Sequence, residues 1–317
     1  MKDAISYGTL TAAPGNRAAG FAEVLDTGYA FPVTVINGAR EGKTLLLTAG
    51  IHGGEYPGIL TAMELARELD PADLSGQVVI IHPVNVSAFY AQVPYIFPED
   101  GKNLNRLFPG NPDGTLGDKI AHVLTTEYQD RADFYVDLHG GDLPASLTPY
   151  VYYPGVGDNR EALETARQAA LALDMRYRVK SGATTGAYNS CAVRGTPSLL
   201  LERGGRGLWE RSEVEAYKED IRQVMRFLGI LPGGVREKTN PGVEITRAVY
   251  LNATETGCWF PFARAEERVK KGRKLGEIRD FFGNLLAEYH AEFDGMVLFV
   301  TVRLPVRRDE PVITYGV

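Results

Sequence analysis

Between Tyr29 and Leu228 short β-branched and apolar runs alternate with longer stretches of helical period, and this alternation restricts the possible folds more than any other feature of the sequence. Tyr29 to Ile36 and Thr44 to Ala49 read as strands, with the Asn37-Gly38 turn signal between them. Leu60, Met63, Leu65, Ala66 and Leu69 then recur at helical spacing over Ile59 to Leu69, Pro71 follows, and Gln77 to His82 reads as the next strand. The pattern continues with a helix over Leu116 to Tyr128, a strand over Phe134 to Leu138 and a helix over Asn159 to Leu173. A strand over Ser198 to Glu202 and a helix over Glu213 to Leu228 complete it. Strands separated by helices predict a parallel or mixed sheet covered on both faces.

The pattern breaks at Leu231-Pro232-Gly233-Gly234. Downstream, short apolar runs alternate with turns at Arg247–Leu251, Gly257–Phe260, Lys274–Ile278, Leu285–His290, Gly295–Thr301 and Val312–Tyr315, which predicts a small all-β module. The expected architecture is therefore α/β: a mixed sheet flanked by helices over residues 1–233, and a barrel- or sandwich-like β module over residues 234–317. A length of 317 residues suits two such units.

Composition narrows the classes of function. With 44% hydrophobic and 23% charged residues the chain lies well inside the globular range. Its formal charge of -6 comes without a clustered Lys/Arg stripe, so neither nucleic acid nor a membrane surface is an expected partner. Cys191 and Cys258 cannot build a disulfide framework, and the first residues lack the apolar stretch of a secretory signal. A cytoplasmic protein is expected.

Four fragments carry chemistry. In AGIHGGEYPG, His52 and Glu55 stand three apart just past a strand end, the edge where ligands bind in α/β sheets. Zinc accepts both donor types, and Gly53 and Gly54 let the backbone pass close by. Taken alone, however, such a pair is common by chance. In FYVDLHGGD a second strand ends on His139, with Asp137 on the same face by strand alternation. A strand that merely finishes in polar residues would read the same way. In DGKNLNRLFPG, Asn105 and Arg106 offer amide donors and a planar guanidinium fork suited to carboxylates, although an ordinary surface loop can hold the same pair. In TPSLLLERGG, Glu202 closes an apolar strand as either a satisfied structural carboxylate or a catalytic one.

In this order the four fragments resemble the succinylglutamate desuccinylase and aspartoacylase family, a branch of the zinc carboxypeptidase-like hydrolases, over essentially the whole chain. The resemblance implies one Zn2+ per chain held by His52, Glu55 and His139, Glu202 as general base, and Arg106, with Asn105 beside it, receiving a substrate carboxylate. It further implies hydrolysis of an amide in an N-acyl amino acid or related small molecule. A metallocarboxypeptidase would use the same metal and base. A metal-binding protein without catalysis is the third reading, and Glu202 argues against it. Self-association is open.

The sequence departs from the family in one respect. Aspartoacylases carry a further arginine shortly before the Asn-Arg pair, where this chain has Tyr95-Ile96-Phe97-Pro98-Glu99. Arg194 and Arg203 are the substitutes the sequence offers. The segment RVKKGRKLGEIRDFFG resembles the turns of biotinyl and lipoyl carrier barrels, but a structural barrel is expected there rather than a modified Lys270 or Lys271. His82, His122 and His290 read as packed or exposed histidines, and Cys191 as an inert thiol. Tyr150 and Tyr152 share a strand face that suits either a core or a pocket wall.

Overall fold

The computed structural model describes residues 2–239 and 241–317. Its centre is a nine-stranded mixed sheet. Across the sheet the strands run in the order Val243–Ile245, Tyr177–Ser181, Tyr150–Pro154, Ser198–Glu202, Phe134–His139, Arg40–Ala49, Ser75–Ile81, Ala30–Asn37, Asn16–Glu23. The four strands from Ser198–Glu202 to Ser75–Ile81 are mutually parallel, each buried on both faces. Their sequences are near-continuous apolar runs for that reason. The helices Tyr56–Glu68, Arg160–Ala172 and Arg211–Phe227 pack on one face, where Leu45, Leu47, Val136 and Leu201 point. Leu116–Val123 and Ala187–Val193 pack on the other, against Leu46, Tyr135 and Leu200.

Most elements lie within a few residues of the sequence expectation. Leu116–Tyr128 is α-helical only to Val123 and closes with a π-helical turn over Leu124–Tyr128. Periodicity did not reveal the short strands Ile5–Tyr7, Leu10–Ala12 and Tyr177–Ser181, or the helices Val86–Ala91 and Ala187–Val193. Each is too short for a helical or strand period to stand out.

Past Gly234 the chain adds the strand Val243–Ile245 to the edge of the main sheet and then forms two antiparallel sheets. These enclose a core around Trp259, Leu275, Ile278, Val297 and Ile313. The indole of Trp259 donates to the Thr301 carbonyl at 2.9 Å. The main unit lends a strand in return, as Ala145–Leu147 pairs with Gly295–Thr301. These pairings lay the loops after Thr301 against the carboxyl edge of the main sheet. Among the described residues no helix is long and apolar enough to cross a membrane.

Candidate metal and catalytic site

Parallel register assembles the site. Thr48 stands beside Asp137, and Glu202 beside His139, so three neighbouring strands deliver their carboxyl ends to one edge. The chain leaving Ala49 carries His52 in a turn and Glu55 at the start of helix Tyr56–Glu68. The two glycines between them are required by packing. A Cβ on Gly53 would lie 2.3 Å from the Phe89 nitrogen, and one on Gly54 would lie 2.0 Å from Asp142 Oδ1.

Glu55 is the hub. Its Oε1 lies 2.8 Å from His52 Nδ1, and its Oε2 lies 3.1 Å from His139 Nδ1. The second contact is poorly aligned for a hydrogen bond, which leaves Oε2 as a buried oxygen without a donor. One ligand atom from each of His52, Glu55 and His139 falls within 4.8 Å of the others. The far nitrogens of both rings are occupied: His52 Nε2 lies 3.1 Å from Asn103 Oδ1, and His139 Nε2 lies 2.9 Å from Asp137 Oδ2. Both acceptors favour a proton on Nε2, so each Nδ1 is the nitrogen that would give up its proton and turn its lone pair to a cation beside Glu55. Two imidazoles and one carboxylate whose Oε2 is buried and unsatisfied are the donor set of a cation such as zinc.

Electrostatics follow from burial and crowding. Burial would raise the Glu55 carboxyl, but the imidazoles of His139 and His52 outweigh it and hold the group below the ordinary range. Burial works against a charged His139, yet the Asp137 and Glu55 carboxylates push it well above the usual histidine value. Glu202 is raised well above the carboxylate range by burial and by the negative charges of Glu55 and Asp137, with His139 opposing. Its Oε2 is also buried without a partner. Thus an ionisable oxygen that no protein group satisfies stands next to the candidate metal gap.

These groups open on a cavity of about 730 Å³. Asn105 and Arg106 line it from a 3-10 turn over Leu104–Arg106. Asn105 is buried and its Oδ1 accepts the Ala187 N–H at 2.8 Å, which ties the turn to helix Ala187–Val193. The Arg106 side chain is exposed and has no hydrogen-bond or ion-pair partner among the described residues, so its fork is open. Tyr150, Tyr152, Tyr188 and Tyr250 form one wall, with Tyr152 and Tyr250 joined through their hydroxyls at 3.0 Å. Strand alternation put Tyr150 and Tyr152 on this wall and turned Tyr153 into the opposite core.

The two arginines considered as substitutes do not reach the cavity. Arg203 is held by Asp220 at 2.7 Å and Glu213 at 3.6 Å, and Arg194 by Asp130 at 3.0 Å and by Ser190 and Gln129 at 2.8 Å each. Among the residues lining the cavity the arginines are Arg106 and Arg303, the latter from the β module. His82, His122 and His290 do not line the cavity, and burial pushes the Cys191 thiol up to about 12, far from a nucleophile's range.

Sequence reasoning missed Asn103, Tyr95, Asp142, Arg303 and Glu310. Asn103 was visible in the Asn-Leu-Asn repeat, which places a second amide two residues before Asn105. Asp142 accepts the backbone N–H of Tyr95 at 2.8 Å and of Leu143 at 2.6 Å. Burial, with the Glu55 charge behind it, raises Asp142 to about 6.

Comparison with known proteins identifies the family and the fold. Residues 41–228 match the model of the succinylglutamate desuccinylase/aspartoacylase catalytic domain. The chain is 28% identical to the N-alpha-acetyl-L-2,4-diaminobutyric acid deacetylase of Halomonas elongata, over 93% of this chain and 86% of that one. A product-bound structure of the ectoine utilization protein EutE (DoeB) from Ruegeria pomeroyi superposes with a TM-score of 0.86 at 26% identity, covering 100% of this chain and 99% of that one. A succinylglutamate desuccinylase/aspartoacylase structure from Rhodobacter sphaeroides gives a TM-score of 0.83 at 27% identity, with 100% and 96% coverage.

Proposed function

Since the chain belongs to the succinylglutamate desuccinylase/aspartoacylase family, we propose that it is a zinc-dependent deacylase hydrolysing the amide bond of an N-acyl amino acid. The observation that carries this reading is the convergence of His52, Glu55 and His139 beside Glu202, a half-buried side chain on the adjoining strand whose Oε2 is buried and unpaired.

His52 and His139 would bind the metal through Nδ1 and Glu55 through its carboxylate, with Asn103 and Asp137 setting the ring orientations. When bound, a zinc ion supplies Lewis acidity, polarising the scissile carbonyl and bringing a water's pKa from about 15.7 to about 7. Glu202 takes a proton from the attacking water and returns it to the leaving nitrogen, so that amide and water become a carboxylic acid and a free amine. Arg106 receives the substrate carboxylate on its open fork, and Asn105 adds its amide beside it. The tyrosine wall, with Tyr150 paired to Glu202 across neighbouring strands, shapes the pocket beside the base.

In this reading residues 1–233 form the catalytic unit and 234–317 a β module that borders the substrate. Two unpaired cysteines and a small-metabolite substrate suit the cytoplasm. The Halomonas elongata relative acts on an N-acetyl amino acid, which makes acetyl the first acyl group to test.

The test is a panel of N-acetyl-2,4-diaminobutyrate, N-acetylaspartate, N-succinylglutamate and simple dipeptides, incubated with zinc-loaded protein and read by mass spectrometry. Release of a free amino acid from an N-acyl substrate is expected. Cleavage of dipeptides alone would make the protein a carboxypeptidase, and no cleavage of any member would remove the proposal.

A further inference from the structure

Arg303 lies in the β module, on the loop between the strands Gly295–Thr301 and Pro305–Val306, yet it lines the same cavity as the metal-site residues. A single nitrogen makes all its side-chain hydrogen bonds. Nη2 donates to Glu310 Oε2 at 2.5 Å and to the Tyr95 hydroxyl at 3.2 Å. Nε is buried with no acceptor, and Nη1 has none among the described residues. Nη1 is not enclosed as Nε is, so it is the guanidinium nitrogen left at the cavity wall to meet an acceptor supplied by a ligand.

Glu310 is in the opposite condition. Its Oε2 accepts from Arg303 and from the Arg307 N–H at 2.9 Å, and its Oε1 accepts from the Tyr95 hydroxyl at 3.2 Å. With three donors satisfied it serves to hold the guanidinium and has little capacity left for a substrate ammonium. Tyr95 ties this group to the metal loop. Its ring stands edge-on to His52 at 6.5 Å between centroids, and its backbone N–H is fixed by Asp142. A cavity of about 730 Å³ also leaves room for a side chain beyond a small acyl group and an α-carboxylate.

We infer that Arg303 is a specificity-determining residue contributed by the β module, and that it takes a carboxylate oxygen at the far end of the substrate side chain. The pocket thus has two anion subsites. Arg106 reads the carboxylate every amino-acid substrate carries, and Arg303 separates substrates by their side chains. Glu310 and Tyr95 are positioning residues for Arg303. The inference rests on reading the cavity as the substrate site of a deacylase.

Calorimetric binding to metal-loaded E202Q protein tests it, using N-acetyl-L-glutamate, N-acetyl-L-norvaline and Nα-acetyl-L-ornithine as acidic, neutral and basic side-chain probes. The glutamate derivative should bind about tenfold or more tighter than the norvaline derivative, the gain typical of one charge-assisted hydrogen bond. Adding R303M should bring that ratio close to one with the norvaline affinity unchanged, whereas R106M should weaken both probes alike. R303M leaves Glu310 without its cation, so the double variant R303M/E310Q removes the pair together and should give the same loss of preference. R303K, which keeps the charge but lacks the planar fork and its free Nη1, should retain only part of the ratio. An equal preference in parent and R303M, no preference in the parent, or tightest binding of the ornithine derivative would each overturn the inference. If the preference follows Arg303 while zinc-loaded wild type hydrolyses no N-acyl amino acid, the subsite stands and the deacylase proposal falls.

Discussion

His139 Nε2 lies 2.9 Å from Asp137 Oδ2, two residues back on the same strand, so the strand that delivers the imidazole also delivers the group that orients it. Asp137 is fully buried and accepts a second hydrogen bond from Thr48 Oγ1 at 2.7 Å, across the neighbouring strand. The carboxylate is thereby fixed in two directions. Its partner ring can turn only one nitrogen toward Glu55.

Asp137→Asn should therefore lower zinc affinity about 10- to 100-fold while leaving the fold in place, the usual cost of losing an outer partner of a metal-binding histidine. Competition against a chelator of known affinity measures it. Unchanged affinity would mean that the His139 orientation is set by packing alone.

Glu202→Gln should retain the metal and lose about two to four orders of magnitude in turnover, because the amide keeps the shape of the side chain but cannot accept the proton. Elemental analysis alongside kinetics separates the two effects. A near wild-type rate would leave Glu202 as a structural carboxylate despite its unpaired Oε2.

Arg106→Met should reduce kcat/KM for carboxylate substrates by roughly one to two decades, mainly through KM, since the open fork would grip ground and transition states alike. The methyl amide of the same substrate serves as the control. Loss confined to kcat would instead put Arg106 at the scissile carbonyl, in the role of the arginine absent from residues 95–99.

Gly53→Ala should destabilise the protein by about 1–3 kcal/mol, the range for overpacking, since the added Cβ would meet the backbone of helix Val86–Ala91 at 2.3–2.5 Å. The loop that carries His52 and Glu55 must shift to relieve it. Denaturant unfolding and zinc content should fall together, and a change in stability without loss of metal would show that the loop yields independently of the site.

Acid stability should carry a signature of Glu64, which joins the helices Tyr56–Glu68 and Arg211–Phe227. Hydrogen bonds from Arg211, assisted by Lys218 and opposed by burial, hold its carboxyl at about 2. An unfolded glutamate titrates near about 4.3, so the folded value is depressed. The contribution is complete above the unfolded value and is lost as pH falls through the folded one. Glu64→Gln should melt slightly below wild type at pH 7 and level with it near pH 2, as monitored by circular dichroism. The difference should be small, because the ion pairs lie near the surface. Equal melting curves at pH 7 would remove Glu64 from the account.

The sequence by itself determined the α/β alternation and placed His52, Glu55, His139 and Glu202 at strand ends, because strand and helix periods and strand termini are local properties of ten or so residues. Asp137 followed from His139 by the two-residue alternation of a strand. The tertiary structure alone decided which strand ends are neighbours, since the order across the sheet departs from the order along the chain. It also decided which arginine reaches the cavity. Arg194 and Arg203 stand near Glu202 in sequence but are drawn away by Asp130 and by Asp220, while Arg303 arrives from a loop of the β module. Tyr95 and Glu310 are 215 positions apart and share a hydrogen bond. No local period encodes such a contact, which arises because the β module packs across the open edge of the sheet and brings its loops over the candidate metal site.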